Sequence, residues 1–149
     1  MFRGRYEHSL DAKGRLALPA AFKKLLAARG EEQLVVTAHI SSPCLVAYPE
    51  AEWREFEARL AKLPQFEPSV MLMRRLYVGS AMDCPLDKQG RVLVPPVLRE
   101  PAGITKEAFW VGAMNTMEIW APDAWSKQVV DARAEVGPEV LAKLGELGL

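Results

Sequence analysis

The sequence predicts an α+β fold, a pseudo-twofold β-barrel of two tandem modules with flanking helices. Three observations carry this expectation. First, Leu10-Asp11-Ala12-Lys13-Gly14-Arg15-Leu16-Ala17-Leu18-Pro19 recurs as Leu86-Asp87-Lys88-Gln89-Gly90-Arg91-Val92-Leu93-Val94-Pro95, with five of the ten positions identical and a constant offset of 76. Second, each copy runs on to hydrophobic strands and an aromatic–Pro–acidic–Trp segment, Tyr48 to Trp53 in the first and Trp120 to Trp125 in the second. Third, no Ser/Gly-rich linker divides the copies, and residues 64–80 are too apolar for a free tether. Two units of short strands that cannot bury their own apolar faces should share one core. The expected modules are residues 1–75 and 76–149, joined as one compact body and not folding independently, with the strands closed or nearly closed into a barrel.

Each part of the repeat has a local reading. Asp followed by two residues and Gly is turn chemistry: the carboxylate accepts from nearby backbone N–H groups, and Gly supplies positive φ. Asp11, Gly14, Asp87 and Gly90 are therefore the turn-structuring residues. Arg15 to Leu18 and Arg91 to Val94 read as short strands, with Leu16 and Leu18, or Val92 and Val94, on one face by the period of two. Pro19 and Pro95 end them and suit a helix start. Residues 19–29 read as a helix with Phe22, Leu25 and Leu26 on one face and Gly30 as the stop. The second copy, at 95–103, is a weaker helix because Pro101 and Gly103 cut it short.

Leu34–Ala38 and Cys44–Tyr48 read as strands around Ser41-Ser42-Pro43. A helix over 50–63 follows from Trp53, Phe56, Leu60 and Leu63 at spacings of three and four. Pro64 ends it, and a further helix covers about 68–78. In the second half, Ala108–Ala113 and Met117–Trp120 form a hairpin around Asn115-Thr116. A helix over about 122–135 and a short one after Pro138 complete the reading.

Composition bounds the function. Half of the 149 residues are hydrophobic, 26% are charged and the net charge is zero. The distribution is uneven, with +5 over residues 1–30 and −4 over residues 31–69. A basic face aligned by an oligomer would attract nucleic acid, although two solvated surfaces fit the same numbers. No apolar run approaches the ~18 residues of a membrane span, and the N-terminus has no secretory pattern. The expected location is cytoplasmic, with no membrane partner. Cys44 and Cys84 read as reduced core thiols. His8 and His39 stand apart from any carboxylate pattern, so no metal site is expected. Trp53, Trp110, Trp120 and Trp125 are core or interface candidates, and Arg74-Arg75 reads as a solvated helix face. There is no nucleophile–base pair, no phosphate-cradling loop of the P-loop or dinucleotide type and no metal cluster. The sequence therefore does not read as an enzyme, and no cofactor, small-molecule substrate or effector is expected.

The paired Asp-x-x-Gly-Arg…Pro motifs, with Phe2 and Gly4 ahead of Asp11, resemble the MraZ family over nearly the whole length. The resemblance implies two swapped-hairpin modules of the AbrB type in one chain. It further implies ring-shaped homo-oligomers and binding to double-stranded DNA upstream of the cell-division and cell-wall operon, usually as an autoregulatory repressor. The recognised sites would be tandem, short, G-rich boxes, and nucleoid association would follow. Carried onto this sequence, the DNA-facing positions are Lys13 and Arg15 in the first motif and Arg91 in the second.

An Arg at a turn–strand junction suits the major groove, where a guanidinium donates two bonds to guanine O6 and N7. Lys13, Arg3 and Arg5 are the expected phosphate contacts, which fix register without reading sequence. Gln89 stands where the first motif has Lys13, so the first motif is expected to be the stronger reader. Read from the residues alone, an internal salt bridge to Asp11 and Asp87 is the favoured reading of Arg15 and Arg91. The rival function is an oligomeric protein-binding adaptor or scaffold, and a steep salt dependence of binding would favour DNA over it.

Overall fold

A computed structural model describes all residues, 1–149. In chain order the first half contains β1 (Arg5–Ser9), β2 (Arg15–Ala17), α1 (Ala20–Ala28), β3 (Gln33–Ala38), β4 (Cys44–Pro49), α2 (Glu50–Ala61) and α3 (Pro68–Met73). A π-helical stretch, Arg74–Val78, prolongs α3. The second half contains β5 (Met82–Pro85), β6 (Arg91–Leu93), α4 (Pro96–Arg99), β7 (Glu107–Ala113), β8 (Thr116–Trp120) and α5 (Pro122–Trp125). A second π-helical stretch, Ser126–Val130, leads into α6 (Asp131–Glu135), and α7 (Pro138–Glu146) follows. The expected helices at 68–78 and 122–135 are present, each broken internally by these wider turns.

Strand pairing interlocks the two repeats. β1 pairs with β7 of the other repeat, and β5 pairs with β3, so each unit's first strand completes its partner's sheet. All pairs are antiparallel, in the order β1-β7-β8-β4-β3-β5. β2 and β6 pair only with each other, placing Arg15 opposite Leu93, Leu16 opposite Val92 and Ala17 opposite Arg91. A local twofold relation runs through Leu16 and Val92 and again through Val46 and Glu118, which face each other where β4 meets β8.

The expected closed barrel is not formed. The six-stranded sheet is open, with β1 and β5 as its edges, and the β2–β6 ribbon is a separate two-stranded sheet. Single bridges, Leu10 to Leu16 and Leu86 to Val92, are the only β-pairing between them. The physical cause is length. Three residues of β2 and of β6 satisfy one ladder with each other, and Pro19 and Pro95 end the strands before a second ladder forms.

One core of 20 buried residues draws on both repeats, including Phe2, Leu16, Phe22, Val92, Trp110 and Ile119. Fully burying side chains of this size contributes roughly 1.5–3 kcal/mol each. The indole N–H of Trp110 in β7 donates to the Ala17 carbonyl at 2.9 Å, tying the large sheet to the ribbon. A smaller cluster of Val35, Trp53 and Tyr77 holds α2 and the α3 extension against β3. Trp125 is half-buried, edge-on to Trp120 and Phe109. Leu63 is 49% exposed because α2 ends at Ala61, before the apolar spacing reaches it.

Two local expectations shift. The β7–β8 hairpin turns at Met114-Asn115 rather than Asn115-Thr116. Met114 takes φ +66°, and its N–H and C=O both bond to Phe2, which compensates a conformation a non-Gly residue rarely adopts. The repeat reads as strand–turn–strand, and the structure gives the strands before the two Asp turns their bounds, β1 and β5. Their exposed, polar sequences, Arg-Tyr-Glu-His-Ser and Met-Asp-Cys-Pro, carry little apolar alternation.

Candidate nucleic-acid interface

The two turns are built alike. In the first, Asp11 Oδ1 accepts from the Lys13 and Arg15 backbone N–H groups, both at 2.9 Å, and Oδ2 accepts from Arg15 Nε at 2.5 Å. Gly14 N–H donates to the Asp11 carbonyl at 2.9 Å. In the second, Asp87 accepts from the Gln89 and Arg91 N–H groups at 2.9 and 3.0 Å, and from Arg91 Nε at 2.7 Å. These donors hold both carboxyls below the ordinary aspartate range; the backbone N–H of the following Arg is the largest cause in each. Gly14 and Gly90 take φ +81° and +70°, which closes the turns. Each turn glycine also receives the strand of the other motif: Leu18 N–H donates to the Gly90 carbonyl and Val94 N–H to that of Gly14, both at 3.0 Å.

Alternation on the ribbon separates core from surface. Leu16 and Val92 point inward and are fully buried, whereas Arg15, Ala17, Arg91 and Leu93 lie on the outer face. The salt bridges that the sequence allowed are present. They engage each arginine through Nε, and no terminal nitrogen of Arg15 is bonded. Arg91 is held further, its Nη1 lying 3.8 Å from Asp11 Oδ2. Asp11 therefore touches both arginines.

The turns are also covered crosswise. Lys23 of α1 and Arg99 of α4 occupy matching positions, 76 apart. A Cβ on Gly14 would lie 3.3 Å from the Arg99 guanidinium, and one on Gly90 would lie 2.2 Å from the Lys23 stem. Neither cation forms an ion pair. The repeat puts these two residues in register, but only the exchanged strand pairing carries each to the opposite turn.

The structure brings Asp11, Lys13, Gly14, Arg15, Asp87, Gly90 and Arg91 to one place and leaves Arg3 and Arg5 elsewhere. Arg5 begins β1, at the end remote from the turn, with its guanidinium 4.8 Å from the Phe109 ring centre and 5.6 Å from that of Trp125. The second turn keeps a lysine after all, Lys88, one position earlier than Lys13 in the first and exposed. Its surroundings differ instead. The groove beside the first turn includes Arg99 and Lys106, with Asp11 and Glu107. The groove beside the second includes Glu31, Glu32, Glu50, Asp87 and Lys88.

Elsewhere, His39 Nδ1 accepts from the Ser41 and Ser42 backbone N–H groups at 3.1 and 3.0 Å, a loop-shaping role. Cys44 and Cys84 are buried and free. No three His, Cys, Asp or Glu side chains gather to hold a metal ion, and no helix is long and apolar enough to cross a membrane.

Comparison with known proteins gives this arrangement a family. The family model described as "MraZ protein, putative antitoxin-like" matches the chain twice, over residues 1–76 and 78–137, once for each repeat. A protein of Shewanella sediminis named transcriptional regulator MraZ is 41% identical over 142 residues, 95% of this chain and 93% of its own. Proteins of the same name from Azotobacter vinelandii and Pseudomonas aeruginosa are 45% identical over 125 and 126 residues, covering 84% and 85% of this chain and 82% and 83% of theirs. The chain belongs to the MraZ family.

Proposed function

We propose that this protein is a transcriptional regulator that binds double-stranded DNA through the outer face of the β2–β6 ribbon. One observation carries the reading: Arg15 and Arg91 share that face, each fixed by an Asp through Nε. Fixing through Nε leaves terminal N–H groups for guanine, and a two-stranded ribbon fits the major groove. Arg15, more exposed and bonded to one carboxylate alone, is the stronger reader. Lys13, exposed on the same turn, is the nearest phosphate contact. Arg3 and Arg5 would serve phosphates only beyond the ribbon.

The finer reading follows the family resemblance. The modules 1–75 and 76–149 form a swapped-hairpin pair of the AbrB type. Several copies assemble as a ring, and the ring engages evenly spaced G-rich boxes upstream of the cell-division and cell-wall operon as an autoregulatory repressor. Weak contacts from one subunit gain affinity when several bind one promoter. Exposed apolar side chains on and around α3, among them Phe66, Leu72 and Leu76, offer surface for association between copies.

The test is fluorescence-anisotropy binding to DNA from upstream of the operon, with scrambled DNA and a salt titration as controls. Specific, salt-sensitive binding that is lost in a folded, oligomeric Arg15→Ala protein is the expected result. Equal binding to scrambled DNA would refute the reading.

A further inference from the structure

The two motifs are close copies, but the charges beside them are not. The backbone shows which flanking residues correspond: Leu10 N–H donates to the Lys106 carbonyl, and Leu86 N–H donates to that of Glu32. The matching place therefore holds a cation beside the first turn and an anion beside the second. Lys106 and Glu32 are exposed and neither is ion-paired. The neighbours reinforce the difference. Arg99 lies over Gly14 without an ion pair, and its Nε is buried with no hydrogen-bond partner. Beside the second turn stand Glu31, whose carboxylate accepts from the Glu50 and Ala51 N–H groups, and Glu50, which pairs with Arg54.

We infer that Arg99 and Lys106, supplied by the second repeat, form a DNA-phosphate site beside the first motif, and that Glu32 with its acidic neighbours closes the matching place beside the second. The inference rests on the DNA-binding reading and deepens it. Arg99 and Lys106 line one groove and neither is ion-paired, and an unpaired guanidinium with a lysine across a groove is the chemistry that takes a phosphate diester. The acidic groups lining the first groove, Asp11 and Glu107, limit this pull but differ in kind. Asp11 is already engaged by Arg15 and three backbone or cross-motif contacts, while Glu107 is exposed at the rim. Phosphate contacts set orientation, so a one-sided site gives each subunit a fixed direction along the duplex. The first motif lies against the backbone, and the second is held off it.

Salt dependence measures this directly, because each phosphate contact contributes about 0.9 to the slope of log Kobs against log salt concentration. The slope would be measured for the full-length protein on the upstream DNA and on scrambled DNA. Arg99→Gln and Lys106→Gln should each lower it by about 0.9 on both DNAs, and Arg99→Lys should restore it. Lys23→Gln, at the matching position over the second turn, should leave it unchanged, and Glu32→Lys should raise it by about 0.9. Lys106 is exposed, so its variant reports even where Arg99→Gln fails to fold. Equal losses in Lys23→Gln and Arg99→Gln would overturn the one-sided site, as would an unchanged slope in Lys106→Gln. An unaltered slope in Glu32→Lys would show that acid at this position does not hold phosphate off. Failure of the wild type to bind DNA at all would instead refute the parent reading.

Discussion

Leu16 stands directly opposite Val92 in the β2–β6 ribbon, and the two occupy the same position of the repeat. Both are fully buried, so the local twofold axis passes through the core. Leu16→Ala should cost about 2–5 kcal/mol, and Val92→Ala, which removes fewer carbons, should cost less. Urea denaturation followed by tryptophan fluorescence checks this, since Trp53 reports on the first repeat and Trp110, Trp120 and Trp125 on the second. One shared transition is expected in both variants. Two separated transitions would mean that the repeats unfold on their own.

The same interlocking predicts the behaviour of a half-chain. Residues 1–75 alone lose β7, the partner of β1, and β6, the partner of β2. The fragment should be unfolded by circular dichroism at low concentration, or should recover strand content only by pairing with a second copy. A folded monomeric fragment would contradict the expectation that the modules do not fold independently.

Much of this architecture was legible because apolar spacing survives in the buried elements. Phe22 and Leu26 mark α1, Trp53 and Leu60 mark α2, and the Leu16–Leu18 and Val92–Val94 alternation marks the inward side of the ribbon and its exits. The bounds of the edge strands β1 and β5 were not legible, because Tyr6 alone and Cys84 alone supply their inward apolar positions. The open sheet was missed for another reason. Closure depends on how many ladder bonds three-residue strands have left to offer, which periodicity does not encode. At the site, Asp11, Gly14 and Arg15 were readable from the repeat. The crosswise approach of Lys23 and Arg99 was not, since it arises only from the exchange of strands between repeats.

The two arginines should differ in DNA binding. Arg15→Ala should lose about 1–3 kcal/mol of discrimination, roughly 5- to 150-fold, against a probe with the contacted guanine replaced. Arg91→Ala should lose less, because Arg91 is partly spent on Asp11 and lies beside the acidic groove of the second turn. Paired measurements at one fixed salt concentration test the ranking. Equal losses would make the motifs equivalent readers.

The two thiols should resist modification until the protein opens. Burial pushes Cys84 up to about 11, with nearby Asp83 adding to it, and raises Cys44 as well, with Glu118 contributing. The thiolate is the reactive form, so at pH 8 a disulfide reagent should label native protein far more slowly than urea-unfolded protein. Leu16→Ala should speed native labelling in proportion to the larger population of open molecules. Rapid labelling of the folded wild type would place at least one of these sulfurs in contact with solvent.

His8 supplies a pH response whose sign is fixed by its surroundings. Its value lies below the ordinary 6.5, first because burial disfavours the imidazolium and second because the Lys23 ammonium repels it. Between the native and unfolded values the unfolded chain binds a proton that the native chain does not. His8 therefore contributes stability that is complete above the unfolded value and is lost as pH falls through 6.5 towards the native one. Proton NMR should show the His8 ring titrating below its ordinary range. Lys23→Gln should move it part of the way back, the burial effect remaining, and His8→Gln should flatten stability across this interval. A His8 titration unchanged by Lys23→Gln would mean that the α1 lysine does not reach the imidazole, and would place its charge wholly over the Gly90 turn.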